Sequence, residues 1–349
     1  MPPSSAEALV VKTNGSAAST LERRSIPIPS PGEHQVLVRI SYVAQNPTDV
    51  QSLDTKAFDD GAVLGCDFVG TVEQLGPGVS RFSKGDTIAG LIWGGETPGQ
   101  GGYSQYALAD PRIAFPVPDT IRPEEAATVP LAALTAVLAL FSEDSLAIDK
   151  GTEVRESVLI WGGSSSVGLF AIQIAAMYGL DVVTTCSPAH HDLVRSLGAS
   201  HVFDYHDEQV VDKIRSAAPE LRYVFDSIGN ETSSATASKA IAQGGGTLCT
   251  VRPGKDFTKD VADGVKVTDV LVWTAFLKEH KYRDTVYPIS KADHTLAVDF
   301  FAKLPQLLTD GTIKPNRVKV FDGGLSDVEK GFQEYRDGKI SNYKIVYKL

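Results

Sequence analysis

The apolar positions of this chain follow two different periods. Before about Pro123 they come in short runs that break at glycine and proline, the pattern of brief strands. Residues 9–43 read as β-rich, with a strand over Val36-Leu37-Val38-Arg39-Ile40 after a loop marked by Pro27, Pro29, Pro31 and Gly32. Asn46-Pro47-Thr48-Asp49 reads as a turn into a short helix capped by Thr48 or Asp49. Residues 63–72 read as strand, turn, strand; Gly76-Pro77-Gly78 is a turn, and strands resume at 82–90 and 103–107. Many short strands with glycine turns predict a small barrel.

From Pro123 the period lengthens. Glu124 and Glu125 sit at the positive end of a predicted helix, and the Ala/Leu run to Phe141 continues it. Strands and helices then alternate: strand 158–161, helix 167–178, strand 182–186, helix 189–197, strand 201–203, helix 208–216, strand 222–226, helix 232–242 and strand 246–251. Alternation at this spacing predicts a doubly wound parallel sheet, an α/β fold. Helix 297–309, strand 317–321, helix 326–336 and strand 343–348 close the chain. The expected organisation is a barrel domain of residues 1–130 and 291–349, with a nucleotide domain of residues 131–290 inserted in it. A sheet edge is expected near 267–273.

The centre of the pattern is Ser157 to Tyr205. An apolar strand meets Gly162-Gly163-Ser164-Ser165-Ser166-Val167-Gly168, a helix follows, and Val182-Val183-Thr184-Thr185-Cys186 forms the next strand. Such a βαβ unit holds a dinucleotide pyrophosphate on a helix N-terminus. Against the fingerprint G-x-G-x-x-G, the turn carries Ser165 at the middle glycine.

Composition narrows the field. A length of 349 residues favours two domains, and 42% hydrophobic with 22% charged residues describes an ordinary globular protein. A net charge of −10 argues against a general nucleic-acid or anionic-membrane surface. The N-terminal stretch from Met1 to Val10 lacks the pattern of a secretory leader. The apolar run 126–141, interrupted by Pro130 and Thr135, falls short of the roughly 20 residues of a membrane span. Cys66, Cys186 and Cys249 form no disulfide pattern, so the expected address is the cytoplasm.

Several landmarks now stand in order: Asn46-Pro47-Thr48-Asp49, the run Leu64-Gly65-Cys66-Asp67-Phe68-Val69-Gly70-Thr71-Val72, Phe82-Ser83-Lys84-Gly85-Asp86, Gly101-Gly102-Tyr103-Ser104-Gln105-Tyr106, the serine-rich turn, and Gly198-Ala199. This set resembles the medium-chain dehydrogenase/reductase superfamily across essentially the whole chain. The resemblance implies a GroES-like catalytic barrel with an inserted Rossmann domain. Zinc members of that superfamily carry Gly-His-Glu where this chain has Gly65-Cys66-Asp67, and a cysteine near Gln45-Asn46. The four-cysteine lobe is absent as well, so no metal is expected and Cys66 reads as a packed hydrophobe.

An NAD site wants an acid at the end of the second strand to hold the ribose 2′-hydroxyl. Here that strand ends Thr185-Cys186-Ser187. Ser187, Arg195 and Tyr205, with His190 as a weaker member, are the candidates for a 2′-phosphate, and NADPH is the expected cofactor. Ser164, Ser165, Ser166 and Val167 would hold the pyrophosphate. The resemblance adds Asn46, Pro47, Thr48, Val251, Arg252, Asn342 and Tyr343 to the cofactor set.

Without metal the easier chemistry is hydride addition to the β-carbon of a carbonyl-conjugated alkene. The protein need only orient the substrate, donate hydrogen bonds to its oxygen and supply a proton. Thr48 and Thr135 are the candidate donors, although Thr135 also suits a bond to its own helix. Within the superfamily the chain resembles the fungal trans-acting enoyl reductases. Val202-Phe203-Asp204-Tyr205, Trp161-Gly162-Gly163-Ser164 and the ending Gly338-Lys339-Ile340-Ser341-Asn342-Tyr343-Lys344 carry that similarity. These enzymes serve a highly reducing polyketide synthase, or a polyketide synthase–peptide synthetase hybrid, on its acyl carrier protein. By that resemblance Gln51, Val129, Pro130, Leu131, Leu134, Thr135, Ala136, Trp273, Thr274, Phe276 and Leu277 face the substrate. Gln51 stands where relatives often carry lysine, and residues 52–60 contain no tyrosine to donate a proton. Arg336, Lys339, Lys344 and Lys348 read either as a carrier-docking patch or as solvated surface. A free-standing enone or quinone reductase, and a cofactor-binding protein without reductase activity, are the competing readings.

Overall fold

A computed structural model describes residues 4–15, 17–151, 155–282 and 284–349. Met1 to Pro3, part of the stretch read for a leader, lie outside the described residues. The chain divides into two compact units, Met1–Leu131 with Phe301–Leu349, and Ala132–Phe300.

The second unit is built on six parallel strands in the spatial order His201–Phe203, Asp181–Thr185, Ser157–Trp161, Tyr223–Asp226, Gly246–Thr250, Val265–Asp269. Counted along this unit the order is 3-2-1-4-5-6, and it reverses between Ser157–Trp161 and Tyr223–Asp226, the crevice where such sheets bind nucleotides. Val158, Leu159, Ile160, Val182, Val183, Val224 and Phe225 have no exposed surface, because helices cover both faces of the sheet. Helix Ser166–Met177 joins the first two strands. Gly179, at φ +79°, ends it in the left-handed conformation that glycine adopts without penalty.

In the first unit six strands run in the order Val318–Phe321, Lys344–Lys348, Val36–Ala44, Asp67–Leu75, Thr87–Leu91, Ala114–Pro116, and Tyr106–Ala109 also pairs with Val36–Ala44. The hairpin Ser5–Asn14 with Ala17–Pro27 packs on the same core. Tyr103, Phe332 and Tyr347 are fully buried there, with the Tyr103 ring edge-on to the other two at 5.9 and 5.8 Å. Phe332 and Tyr347 come from the end of the chain. The returning segment therefore completes a core that the first 131 residues leave open.

Several predicted elements differ from the structure: the strands read over 82–90 and 103–107 are Thr87–Leu91 and Tyr106–Ala109, since the turn at Lys84-Gly85 delays the first. The helix read continuously from Pro123 to Phe141 is two, Pro123–Ala126 and Pro130–Phe141, because Pro130 lacks an N–H and starts a new helix. This stretch is apolar and long enough to cross a membrane, but 89% of its apolar window is buried inside the protein. Within 63–72 only Asp67 onward is strand; Val63 makes a single bridge to Val10. Gly65 turns the chain there at φ +94°, where a Cβ would lie 2.7 Å from the Tyr103 nitrogen. The sheet edge is Val265–Asp269, and Val272–Ala275 is a 3-10 turn. A hairpin, His280–Tyr282 with Thr285–Tyr287, went unread because its strands are short and polar.

Candidate active site

In the second unit the glycine-rich turn is shaped by close packing. Gly162 has φ +87°, and a Cβ on Gly163 would fall 2.0 Å from Thr184 Oγ1, a hydroxyl committed to the Ile160 carbonyl. A Cβ on Gly168 would meet the Gly162 carbonyl at 2.3 Å, so the helix starts hard against the turn. Ser165 is the N-cap of helix Ser166–Met177, and its Oγ accepts from the Gly168 N–H at 2.9 Å. The serine at the middle position of the fingerprint thus points back into the fold. Ser164 to Val167 keep part of their surface exposed at the positive end of this helix.

Opposite the turn, at the end of strand Tyr223–Asp226, lies a loop that sequence reasoning missed. The fully buried Asp226 carboxylate accepts from the Ile228 and Gly229 N–H groups and from the hydroxyls of Ser233 and Ser234. Four donors satisfy a charge that would otherwise be costly so deep in the fold. Ser227 donates to the Trp161 carbonyl at 2.8 Å. Arg252 donates from Nε to the Gly229 carbonyl at 2.7 Å, and the Val251 N–H donates to the Asp226 carbonyl. The readable signal was a lone aspartate ending an apolar strand.

At the ends of the second and third strands, Ser187 and His190 are half-buried, and Arg195 and Tyr205 are exposed. Arg195 makes an exposed ion pair with Asp192 at 3.6 Å, a weak tie that leaves the guanidinium available. Tyr205 stacks on His206 with ring centroids 4.0 Å apart. Burial pushes the Cys186 thiol up to about 11; the Asp204 charge adds to the rise and the Arg195 charge opposes it. Both charges therefore act at the end of this strand. His191 Nε2 is buried there without a hydrogen-bond partner.

In the first unit Asn46 precedes helix Pro47–Asp54, and this corrects the expected cap. The Asp49 carboxylate reaches back to the Asn46 N–H at 2.8 Å from the third helical position, while the Asn46 amide donates to Asp67. Thr48 is half-buried in the first turn. Gln51, one turn on, donates to the Tyr335 hydroxyl at 2.7 Å, which brings a tyrosine from the C-terminal helix to a segment that has none of its own. Asp49 is fully buried and also accepts from the Gly65 N–H, Cys66 Sγ and the Tyr103 hydroxyl. Burial raises its carboxyl to about 6 against those hydrogen bonds, and holds the Cys66 thiol well above its ordinary range.

Asp67 meets three donors: Lys344 Nζ at 2.7 Å, Asn46 Nδ2 at 2.8 Å and the Leu131 N–H at 2.7 Å. The Lys344 Nζ also approaches the Thr128 carbonyl at 3.4 Å. From sequence Asp67 was read only within the Gly65-Cys66-Asp67 run and Lys344 only as a surface cation; their pairing was not foreseen, although a lysine opening an apolar strand was a signal. The C-terminal basic patch does not form. Lys344 is 3% exposed, Arg336 pairs with Asp54 at 2.6 Å, and Lys339 pairs with Asp337 at 2.7 Å.

Of the remaining predicted residues, Val129, Leu134 and Ala136 have no exposed surface and support the packing rather than face open space. Pro130 is buried, Leu131 and Trp273 are 8% exposed and Thr135 5%. Trp273 packs against Phe276 at 6.1 Å, Thr274 spends its hydroxyl on the Leu271 carbonyl, and Leu277 is exposed. The Tyr343 hydroxyl is tied to Glu334 and the Lys339 carbonyl. Asn342, at φ +57°, holds a buried Oδ1 with no hydrogen-bond partner, an acceptor whose burial is costly unless a donor arrives. Within the second unit, the unpartnered His191 nitrogen and the serine-rich turn at a helix N-terminus suit a phosphate-bearing dinucleotide.

Residues 32–119 match the family described as Alcohol dehydrogenase GroES-like domain, and residues 166–279 match Zinc-binding dehydrogenase. A zinc-type alcohol dehydrogenase-like protein of Schizosaccharomyces pombe is 33% identical over 93% of this chain and 94% of its own. The trans-enoyl reductase ACTTS2 of Alternaria alternata is 32% identical over 98% of both chains. The chain belongs to the medium-chain dehydrogenase/reductase superfamily. The crystal structure of CurK enoyl reductase superposes with a TM-score of 0.74 at 20% identity, covering 97% of this chain and 98% of that one, and shares the fold. The fold is thus the GroES-like barrel with a Rossmann-like parallel sheet, and the chain is an oxidoreductase of the kind that uses a nicotinamide cofactor. The second match carries zinc in its name. Among the described residues no three His, Cys, Asp or Glu side chains are placed to share an ion. The Cys66 thiol faces Asp49, and Asp67 already carries a lysine cation.

Proposed function

We propose that this protein is an NADPH-dependent, zinc-independent enoyl reductase acting in trans on an α,β-unsaturated acyl thioester carried by a polyketide synthase or a synthase–peptide synthetase hybrid. When bound, NADPH supplies the hydride that reduces the β-carbon. The observation that carries the reading is the fate of Cys66 and Asp67. Where zinc members place ligands, one side chain donates to a buried carboxylate and the other is neutralised by Lys344. Polarising the substrate carbonyl then falls to hydrogen-bond donors, for which we assign Thr48 and Thr135. A conjugated carbonyl suits such donors because it spreads the developing charge itself.

The 2′-phosphate is assigned to Ser187, Arg195 and Tyr205, with His190 beside them. The lack of an acid at Ser187 and the charge of Arg195 support this choice. Ser164 to Val167 and the helix N-terminus behind them would hold the pyrophosphate, and the unpartnered Asn342 Oδ1 would offer an acceptor to the cofactor. Asn46, Pro47, Thr48, Val251, Arg252 and Tyr343 complete the cofactor set, and the cytoplasm supplies its reduced form. The relatives named trans-enoyl reductases support the thioester substrate and the partner synthase.

The test is NADPH oxidation with an enoyl-pantetheine thioester, with the same acyl group on a carrier protein, and with small soluble enones. Turnover of the thioesters, faster on the carrier and insensitive to chelators, is the expected result. Rapid turnover of free enones with no gain on the carrier would replace this reading with a small-molecule enone or quinone reductase. Binding of NADPH with no oxidation of it by any substrate would leave a cofactor-binding protein.

A further inference from the structure

We propose that Asp67, acting with Lys344, is the positioning residue of this site, the one carboxylate that holds its three backbone segments in register. The inference rests on the enoyl reductase reading. Those segments are Asn46-Pro47-Thr48 at the start of helix Pro47–Asp54, Val129-Pro130-Leu131 at the start of helix Pro130–Phe141, and Asn342-Tyr343 before strand Lys344–Lys348. They are far apart in sequence; the first two each send one donor to Asp67, and the third is tied to it through the next residue, Lys344. Oδ1 accepts from the Leu131 N–H at 2.7 Å; Oδ2 accepts from Asn46 Nδ2 at 2.8 Å and from Lys344 Nζ at 2.7 Å.

The geometry is directional. The Leu131 N–H belongs to the first turn of its helix, where the positive end of the helix dipole favours a carboxylate. The Asn46 amide ties the residue just before Pro47 and Thr48. Lys344 is the residue after Tyr343, and its ammonium balances the charge of a carboxylate with no exposed surface. A well-packed apolar pair holds a core at least as well as a buried ion pair, so stability alone does not explain the arrangement. What an apolar pair cannot do is fix the angle and distance of three separate segments at once. A shift of about 1 Å in a positioned donor is enough to slow a reaction markedly.

The decisive variant is Asp67→Asn with Lys344→Met, which leaves no buried charge unpaired and keeps an acceptor for the Leu131 N–H. Melting temperature, NADPH affinity by fluorescence titration, and kcat and KM with an enoyl-pantetheine thioester are measured. A melting temperature within a few degrees of wild type, with kcat down at least tenfold and KM within about twofold, is the result expected. Wild-type kcat in that stable variant overturns the proposal and leaves the pair as packing. Should the double variant not fold, Asn46→Ser keeps a helix cap while losing the donor to Asp67. A several-fold loss of kcat is expected there, and unchanged kcat again overturns the proposal. Should the wild-type protein bind NADPH yet reduce no thioester, the enoyl reductase reading fails by itself. Hydrogen exchange over residues 46–53 and 129–136 then still reads the register: faster exchange in the variant supports it, and unchanged exchange sinks it.

Discussion

The hydroxyls of Ser165 and Ser227 lie 2.9 Å apart, joining the glycine-rich turn to the end of strand Tyr223–Asp226. The protons run one way. The Gly168 N–H donates to Ser165 Oγ, Ser165 donates to Ser227 Oγ, and Ser227 donates to the Trp161 carbonyl. A glycine at position 165, as the dinucleotide fingerprint has it, would leave the turn without this tie. Ser165→Ala should cost about 1 kcal/mol through the lost cap. A double-mutant cycle with Ser227→Ala should show a coupling of about 0.5–1.5 kcal/mol in urea unfolding. Strictly additive single variants would mean that the two hydroxyls do not act together.

Cofactor choice should follow the ends of the second and third strands. Arg195→Ala is expected to raise the KM for NADPH about tenfold or more and to leave NADH unchanged, since a hydrogen bond to a charged group contributes roughly 1.5–3 kcal/mol. Ser187→Asp places the missing acid and should shift preference toward NADH. Steady-state kinetics with both dinucleotides checks each variant. Equal losses for both would remove Arg195 from the 2′-phosphate site.

Asn342 combines a left-handed backbone with an unpartnered Oδ1. Asn342→Gly keeps the backbone conformation while deleting the acceptor. Its melting temperature should stay close to that of wild type, while NADPH binds several-fold more weakly in a fluorescence titration. Unchanged affinity would show that the orphaned oxygen serves no ligand.

Asp49 gives the protein a pH signature. Its carboxyl is raised to about 6 from an ordinary 3.8, chiefly by burial, so the folded state holds a proton that the unfolded chain has released. The associated stability is fully present below 3.8 and is lost as pH rises through about 6. The gap is worth at most ~3 kcal/mol. Asn at this position cannot titrate. The stability of wild type relative to Asp49→Asn should therefore fall by up to that amount between about pH 4 and 7. Urea unfolding across that range measures it, and a constant difference would mean that Asp49 stays ionised.

Much of the architecture was legible because period and punctuation are local. The run Val158-Leu159-Ile160-Trp161, the glycines at 162, 163 and 168, and the apolar face of the following helix each restrict their own backbone. The strand–helix alternation then admits few topologies. The helix 123–141 was misread where Pro130 outweighed the apolar run, and the hairpin at 280–287 was missed because polar residues carry no period. The turn serine was legible as a departure from the fingerprint but not as a cap bonded to Ser227, since Ser227 lies 62 residues away.

From sequence alone came the two-period organisation, the family, and the expectation that a dinucleotide meets the turn at 162–168. These depend on residues that lie near one another along the chain. Only the tertiary structure decided the partners of the buried charges. Asp67 and Lys344 are 277 residues apart, yet their charged atoms are 2.7 Å apart. A buried carboxylate takes its partners from whatever the packed core brings within hydrogen-bond reach, and no local pattern encodes that choice.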